Sequence, residues 1–369
     1  MGCSFSKSSN NATFFDLTRG YLVDYFTCNL KQLIDDLTNG QCEFLGCGSF
    51  GHVIKQLVPC PPNLAAAAEA AGHVDYVCKG IPVIVKFIFH SDSTPLAACE
   101  AEAAACIATS SSKHLPRLYH HLHRSGYSVL VFEAVSSSPQ NLAQRVHACA
   151  TAVGGPQHLS LPEMLETMTH VANGVQDMHD RGWCHLVVKA PNIVLGEQHS
   201  AYLVDLGLAR KLGVGLKQHC PGTQGYRDPL IMWEALKGED LKVQPFLDWW
   251  SAGMVLVFML VRGNRNRFDR VARLAASYSI FSREYMRLEL VRKVLQPEVS
   301  AVVGAYEEQQ QQQGLLQQGV ELVGVREGVM DMVEGLLQRR PKHRWSSREV
   351  CNMVEQVAGL MGAATTLQQ

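Results

Sequence analysis

The chain has 369 residues, 47% of them apolar and 18% charged, and its 33 basic against 34 acidic side chains leave a net charge of −1. That composition supplies a sizeable core and excludes wholesale disorder, while the even charge balance excludes a nucleic-acid wrapper. The longest uncharged apolar stretch, Ala252 to Val261, is about half of what a bilayer span requires, so no membrane crossing is expected.

At about 150 residues per domain, the length suits two domains or one large two-lobed one. Twelve cysteines are scattered from Cys3 to Cys351 with no Cys-x-x-Cys pair and no secretory leader before them. They read as reduced thiols of an intracellular protein.

In chain order, the start Met-Gly-Cys-Ser-Phe-Ser matches the N-myristoylation acceptor, with Gly2 as the acylated amine and Ser6 in the fifth place. A single myristoyl chain attaches a protein only marginally, and Cys3 is placed to supply the second signal as an S-acyl site. Residues 1–13 therefore read as an acylatable tail too short to fold, held at the cytoplasmic face of a membrane if Gly2 and Cys3 are acylated and cytoplasmic otherwise. Residues 14–41 read as an extension of mixed helix and strand. A strand–turn–strand follows around Gly46 to Val53, then an Ala-rich insertion at about 58–80, where Pro59, Pro61 and Pro62 break any continuous element.

Ile81 to Phe89 is β-branched and aromatic and reads as a buried strand; Leu96 to Ala108 reads as a helix. His120, His121 and His123 read as polar tips of a half-buried strand in preference to a metal site, because no cluster of carboxylates or thiolates lies near them in sequence. Val129 to Phe132 is another short strand, and the periodicity of Leu161 to His179 is helical. Gln309 to Gln313, with Gln317 and Gln318, reads as an exposed mobile loop within 307–319. A strand-rich part over 42–135, a helix-rich part over 136–360 and a tail at 361–369 describe a bilobal α+β architecture.

The first chemical signal is Leu45-Gly46-Cys47-Gly48-Ser49-Phe50-Gly51-His52-Val53. Glycines at this spacing let a hairpin backbone approach phosphate oxygens with no Cβ in the way. A dinucleotide-binding turn would open a helix here, whereas Val53 continues a strand and Lys86 arrives in a second one. A lysine inside an apolar strand is costly unless a phosphate or carboxylate compensates it.

With these residues the chain resembles a eukaryotic protein kinase of the Ser/Thr branch. The resemblance implies a carboxylate for Lys86 on the following helix, with Glu102 preferred and Glu100 as the runner-up. His185-Leu186-Val187-Val188-Lys189-Ala190-Pro191-Asn192 is similar to the catalytic loop, and Asp205-Leu206-Gly207 to the metal-binding Asp-Phe-Gly. Gly222-Thr223-Gln224-Gly225-Tyr226-Arg227-Asp228-Pro229-Leu230 resembles the end of an activation segment. Asp248-Trp249-Trp250 resembles the start of a buried central helix, and Arg344 a late structural arginine.

The resemblance implies ATP and Mg²⁺ as cofactors. Leu45, Gly46, Gly48, Gly51, Val53, Ile84, Lys86, Glu102, Glu133, Val135, Asn192, Val194 and Asp205 would line the nucleotide, with Asn192 and Asp205 holding the metal. Lys189 favours the Ser/Thr branch. A protein partner or substrate is implied but not identified, and no nucleic acid.

The pattern breaks at the catalytic loop. Where the family carries the Asp that accepts the substrate hydroxyl proton, this chain has Val187, and where it carries Arg, Leu186. Losing a positioned base costs about 10²–10⁴ in rate. No Ser, Thr or Tyr lies between Leu208 and Gly222, so nothing in that stretch can carry the phosphate such an arginine grips, which leaves Thr223 and Tyr226 as the sites the segment offers. The Ala-Pro-Glu glutamate is also missing. Its ion pair with Arg344 is expected to be lost or remade, with Glu234 the compensating acid and Asp228 less favoured. The expectation is a membrane-tethered pseudokinase that binds nucleotide; the alternatives are a weakly active Ser/Thr kinase and a nucleotide-free scaffold.

Overall fold

The computed structural model describes residues 6–39, 42–48, 51–91, 96–152, 158–196, 200–216, 221–277, 284–316 and 322–366. The chain divides into two compact units: Met1–Ser111 with Pro116–Ser137, and Ser112–Leu115 with Ser138–Gln369.

The first unit is built on an antiparallel sheet in the order β1-β2-β3-β5-β4, from β1 (Glu43–Gly48), β2 (Gly51–Val58), β3 (Ile81–Phe89), β4 (Leu118–Arg124) and β5 (Tyr127–Glu133). Side chains alternate across a strand, so the register decides what each face carries. Ile81, Val83, Val85 and Phe87 of β3, with Val129 and Val131 of β5, belong to one core cluster. Lys86 lies between them in sequence and faces the other way.

Covering that core face is α1 (Ser6–Thr38), whose Leu22, Phe26, Leu30 and Leu33 are buried in the same cluster. Over residues 6–38 this corrects the expectation of an unfolded tail followed by a mixed extension; residues 1–5 lie outside the described ones. Phe14, Thr18, Leu22, Phe26, Leu30 and Leu33 are buried residues of one continuous helix, recurring every three or four positions as one helical face requires. Gly2 and Cys3 lie outside the described residues.

The insertion between β2 and β3 forms α2 (Pro62–Ala70) and α3 (Val74–Lys79). Pro62 does not break the element, because in the first turn its missing N–H is no loss. Opposite α1, α4 (Leu96–Ala108) carries the carboxylates that follow β3.

In the second unit α5 (Leu142–Thr151) starts with a capping box, the Asn141 side chain accepting from Gln144 N and the Gln144 side chain from Asn141 N. After it come α6 (Leu161–Asp180), α7 (Pro229–Lys237), α8 (Phe246–Leu260), α9 (Arg265–Ala276), α10 (Glu284–Gln312), α11 (Val323–Leu336) and α12 (Ser347–Thr366). Apolar nearly all round, α8 is buried over almost its whole length and forms the centre of this unit.

Two small ribbons carry the loops: β6 (Gln140–Asn141), β8 (Ile193–Leu195) and β9 (Ala201–Leu203) in one, β7 (Trp183–Cys184) and β10 (Arg210–Lys211) in the other. Gln309 to Gln312 are the last turn of α10 and not a loop. Glutamine is a good helix former, and buried Glu307 fixes that end by accepting from Leu322 N (2.5 Å) and Arg326 Nη2 (2.7 Å). Gln317 and Gln318 lie outside the described residues. No described helix is long and apolar enough to cross a membrane.

Candidate active site

In the first unit, Lys86 Nζ donates to Glu102 Oε1 at 2.7 Å, and both residues are buried. Between the two glutamates weighed on α4, the helix turns Glu102 to the sheet and leaves Glu100 exposed. Val53 pairs with Lys86 across β2 and β3, and Ile84 pairs with Phe132 of β5. Both Val53 and Ile84 are half-buried on the Lys86 side, as are Leu45 and Gly46 on β1.

The glycines have different reasons. A Cβ at Gly51 would stand 1.7 Å from Phe87 O, so close strand approach alone demands glycine there. A Cβ at Gly46 would meet nothing within 4 Å, leaving its backbone open to a ligand. Gly48 ends β1, opposite Gly51.

At the end of β5, Glu133 is gripped by Arg117, with Nε to Oε2 at 2.9 Å and Nη2 to Oε1 at 2.8 Å. The guanidinium stacks over the ring of Phe15 on α1, 3.9 Å from its centroid. Burial works against the Arg117 cation, yet the Glu133 hydrogen bonds push its pKa upward overall. The side chain of Glu133 is thus committed to structure, and Val135 is half-buried just beyond it. Sequence reasoning missed Arg117, whose partner lies one strand away.

In the second unit the catalytic loop is organised by Asp248, the only acid in the first turn of α8. Fully buried, its carboxylate accepts from His179 Nε2 (2.9 Å), His185 N (2.8 Å), Leu186 N (2.7 Å) and the Cys184 thiol (3.0 Å). Burial alone would raise its pKa, but the His179 hydrogen bond and the other donors hold the carboxyl below its ordinary value. His179, Cys184 and Asp248 are the one group of three or more potential ligands with metal-ligand spacing among the described residues. Their hydrogen bonds explain the cluster without an ion. Burial drives the Cys184 thiol well up, so it is no nucleophile.

Asp248 also holds Leu186 in the left-handed region at φ 65°, a conformation that costs a non-glycine residue roughly 1–3 kcal/mol. The loop therefore keeps a demanding backbone shape while its side chains are apolar. Val187 is buried, and its carbonyl accepts from Asn192 Nδ2 at 3.1 Å. That leaves the Asn192 Oδ1 as the atom suited to a cation. Lys189 is half-buried and precedes a short 3-10 turn, Ala190–Asn192. Val194 sits half-buried on β8, paired with Tyr202.

Asp205 is half-buried with φ 67°, just beyond β9, and its charge reaches His185. Burial lowers the pKa of that fully buried imidazole, which packs in the loop as a neutral group. Asp180, the other acid near the loop, is taken by Gln176 Nε2 at 2.7 Å on an exposed surface.

Leu186 enters an apolar cluster with Cys184, Leu216, Ile231, Val243 and Leu247. The segment from Gly213 to Leu216 is further fixed by backbone bonds to Leu241 and Val243. Apolar packing ties this segment down at the place where an arginine would need a phosphate.

The expectation for Arg344 is corrected. Glu234 lies near the surface and pairs with Lys237 at 3.2 Å; it does not compensate Arg344. Asp228 does so from the N-cap of α7, bonding Arg344 Nη1 while accepting from Leu230 N at 2.9 Å, with both charged side chains fully buried.

A model of the protein kinase domain matches residues 72–354, well over half of the chain, beginning after the glycine-bearing β1–β2 hairpin. The chain belongs to the protein kinase family. Its fold is that of a protein kinase, with a β-rich N-terminal lobe and a helical C-terminal lobe.

Among curated relatives, the kinase domain is similar to maternal embryonic leucine zipper kinase of Danio rerio, 27% identical over 46% of this chain and 23% of that protein. It is also similar to cell division control protein 2 homolog 1 of Trypanosoma brucei brucei, 26% identical over 44% of this chain and 51% of the relative. A third is the serine/threonine-protein kinase grp of Drosophila melanogaster, 30% identical over 29% and 20% respectively. The chain thus spans between about a fifth and a half of the length of these relatives.

Proposed function

We propose that this kinase domain is a nucleotide-binding pseudokinase that works by docking or by allosteric control of a partner. The observation that carries this reading is Val187. The loop around it keeps the backbone that Asp248 imposes, yet at the position of the proton acceptor stands a buried, unreactive side chain. Asp248, saturated by four donors, and Asp180, turned to the surface, cannot substitute.

Nucleotide binding is supported by the formed Lys86–Glu102 pair, the open face of Gly46, and the oxygens of Asn192 and Asp205. In the first unit Lys86 would meet phosphate oxygens; in the second, Asn192 and Asp205 would hold Mg²⁺, whose chemistry is to neutralise phosphate charge. The packing of Leu186 with Leu216 supports control without activation-segment phosphorylation.

The test is a thermal-shift titration with ATP, with and without Mg²⁺, beside Lys86→Ala. Binding to the native state raises stability by about 2.7 kcal/mol at a hundredfold excess over Kd, so a Mg²⁺-dependent shift lost in the variant is expected. No shift at millimolar nucleotide would turn the reading to a nucleotide-free scaffold.

A second reading, slow Ser/Thr phosphotransfer, is favoured by the same intact Lys86–Glu102 pair, since positioning and cation electrostatics supply much of this catalysis. The tail belongs to the proposal as well. Acylation at Gly2 and Cys3 would hold the domain at a cytoplasmic membrane face, and Gly2→Ala would release it to the soluble fraction.

A further inference from the structure

The histidine run on β4 is used by nothing described so far, and its register separates it into two sets. His120 pairs with Val131 and turns toward α1, whereas His121 pairs with Leu130 and His123 with Ser128, on the face that looks to α4. β4 is an edge strand of the sheet, so a side chain here has water on one side. His121 is exposed and His123 half-buried.

The two imidazoles are 5.5 Å apart between centroids, with their planes at 60°. Two imidazoles sharing one tetrahedral ion, each nitrogen about 2.0–2.1 Å from it, have ring centres roughly 5 Å apart. The observed centroid separation is close to that value.

The surroundings of His123 are those of a metal ligand. Its Nδ1 lies 2.8 Å from the buried Ser128 Oγ, and the same hydroxyl lies 2.7 Å from His90 Nε2. With His123 Nδ1–H donating to Ser128, and Ser128 donating to His90, the Nε2 lone pair of His123 is left for an ion. A second hydrogen bond of this kind fixes tautomer and ring orientation in metal sites generally.

We infer that His121 and His123 form a binding site for a borderline-soft transition-metal cation such as Zn²⁺, oriented by the Ser128–His90 relay. Both donors are imidazole nitrogens. That selects against hard, oxygen-seeking Mg²⁺ and Ca²⁺. Ser128 also hydrogen-bonds Cys99, which stands on α4 one turn before Glu102. An ion on β4 would therefore brace the helix that carries the partner of Lys86. The site does not depend on whether nucleotide binds.

The test is a Zn²⁺ titration of the full chain, stripped with a chelator beforehand and read by competition with a chromophoric chelator. The proteins compared all keep the same cysteines, so thiol binding cancels. The double variant His121→Gln, His123→Gln should bind one equivalent fewer than the parent. Ser128→Ala should weaken that equivalent by about 10- to 100-fold, and His52→Gln, on another strand of the sheet, should leave it unchanged. Because His121 is exposed, the single His121→Gln variant carries the test even if the double variant folds poorly. An unchanged count in the His121 variants, or equal weakening by His52→Gln, would overturn the inference.

Discussion

Replacing Asp228 with alanine tests how this chain remakes an ion pair that its family builds differently. The carboxylate does two jobs: it pairs with Arg344 Nη1 and caps α7 through Leu230 N. Arg344 keeps bonds to Phe246 O (2.7 Å) and Gln338 O (2.9 Å), and it lies over Trp250 at 5.2 Å. These neutral partners cannot cancel its charge, and both partner side chains are fully buried.

Removing one member of such a pair costs about 3–5 kcal/mol, because the other charge is stranded. The cap contributes about 1 kcal/mol through the same carboxylate and is largely contained in that figure. Glu234→Ala, which breaks a near-surface pair with Lys237, should cost no more than about 1 kcal/mol. Urea unfolding followed by tryptophan fluorescence suits the comparison, since Trp250 lies beside Arg344. A loss below about 1 kcal/mol for Asp228→Ala, or an equal loss for Glu234→Ala, would refute the assignment of the buried pair.

Two further predictions follow from packing and titration. Phe26 of α1 is fully buried against the sheet, so Phe26→Ala should destabilise the first unit by about 3–5 kcal/mol; an unchanged melting temperature would show that α1 is dispensable. His114 and His170 stack at 4.9 Å, and burial lowers both pKa values, His114 also feeling the charge of His170. The unfolded chain then binds more protons than the folded one. Stability is complete above the ordinary histidine pKa of about 6.5 and falls as pH drops below it. His114→Gln should flatten the decline between about pH 7 and 5. An unaltered slope in a pH series of thermal melts would contradict this.

The local elements were legible where composition and periodicity agreed. β3 at Ile81–Phe89 and α4 at Leu96–Ala108 begin and end where the residues indicate, since a β-branched run and an Ala-rich run leave little choice. α1 was misread although its apolar residues keep helical spacing from Phe14 to Leu33, because aromatic residues and threonines within it favour strand locally and only the sheet beneath decides. Composition alone marks the glutamine run as a loop and says nothing about the helix it extends.

The Lys86–Glu102 pair could be anticipated, since the two residues lie 16 apart on adjacent elements. The Asp248 node could not: it joins residues more than 60 positions apart, and no local signal announces that a single acid at the start of an apolar helix will hold another loop in shape. Asp228 was undervalued because it precedes Pro229, where the family's glutamate follows the proline. The N-cap position brings the carboxylate to Arg344 all the same.

The central claim is that Val187 has removed the proton acceptor from a loop whose shape survives. Its most direct test is transfer of γ-phosphate from labelled ATP with Mg²⁺ to the full chain itself and to generic protein substrates, beside Asp205→Asn. The account predicts incorporation no higher in the parent than in the variant. Incorporation by the parent that disappears in Asp205→Asn would contradict it and establish a kinase that works without the acid.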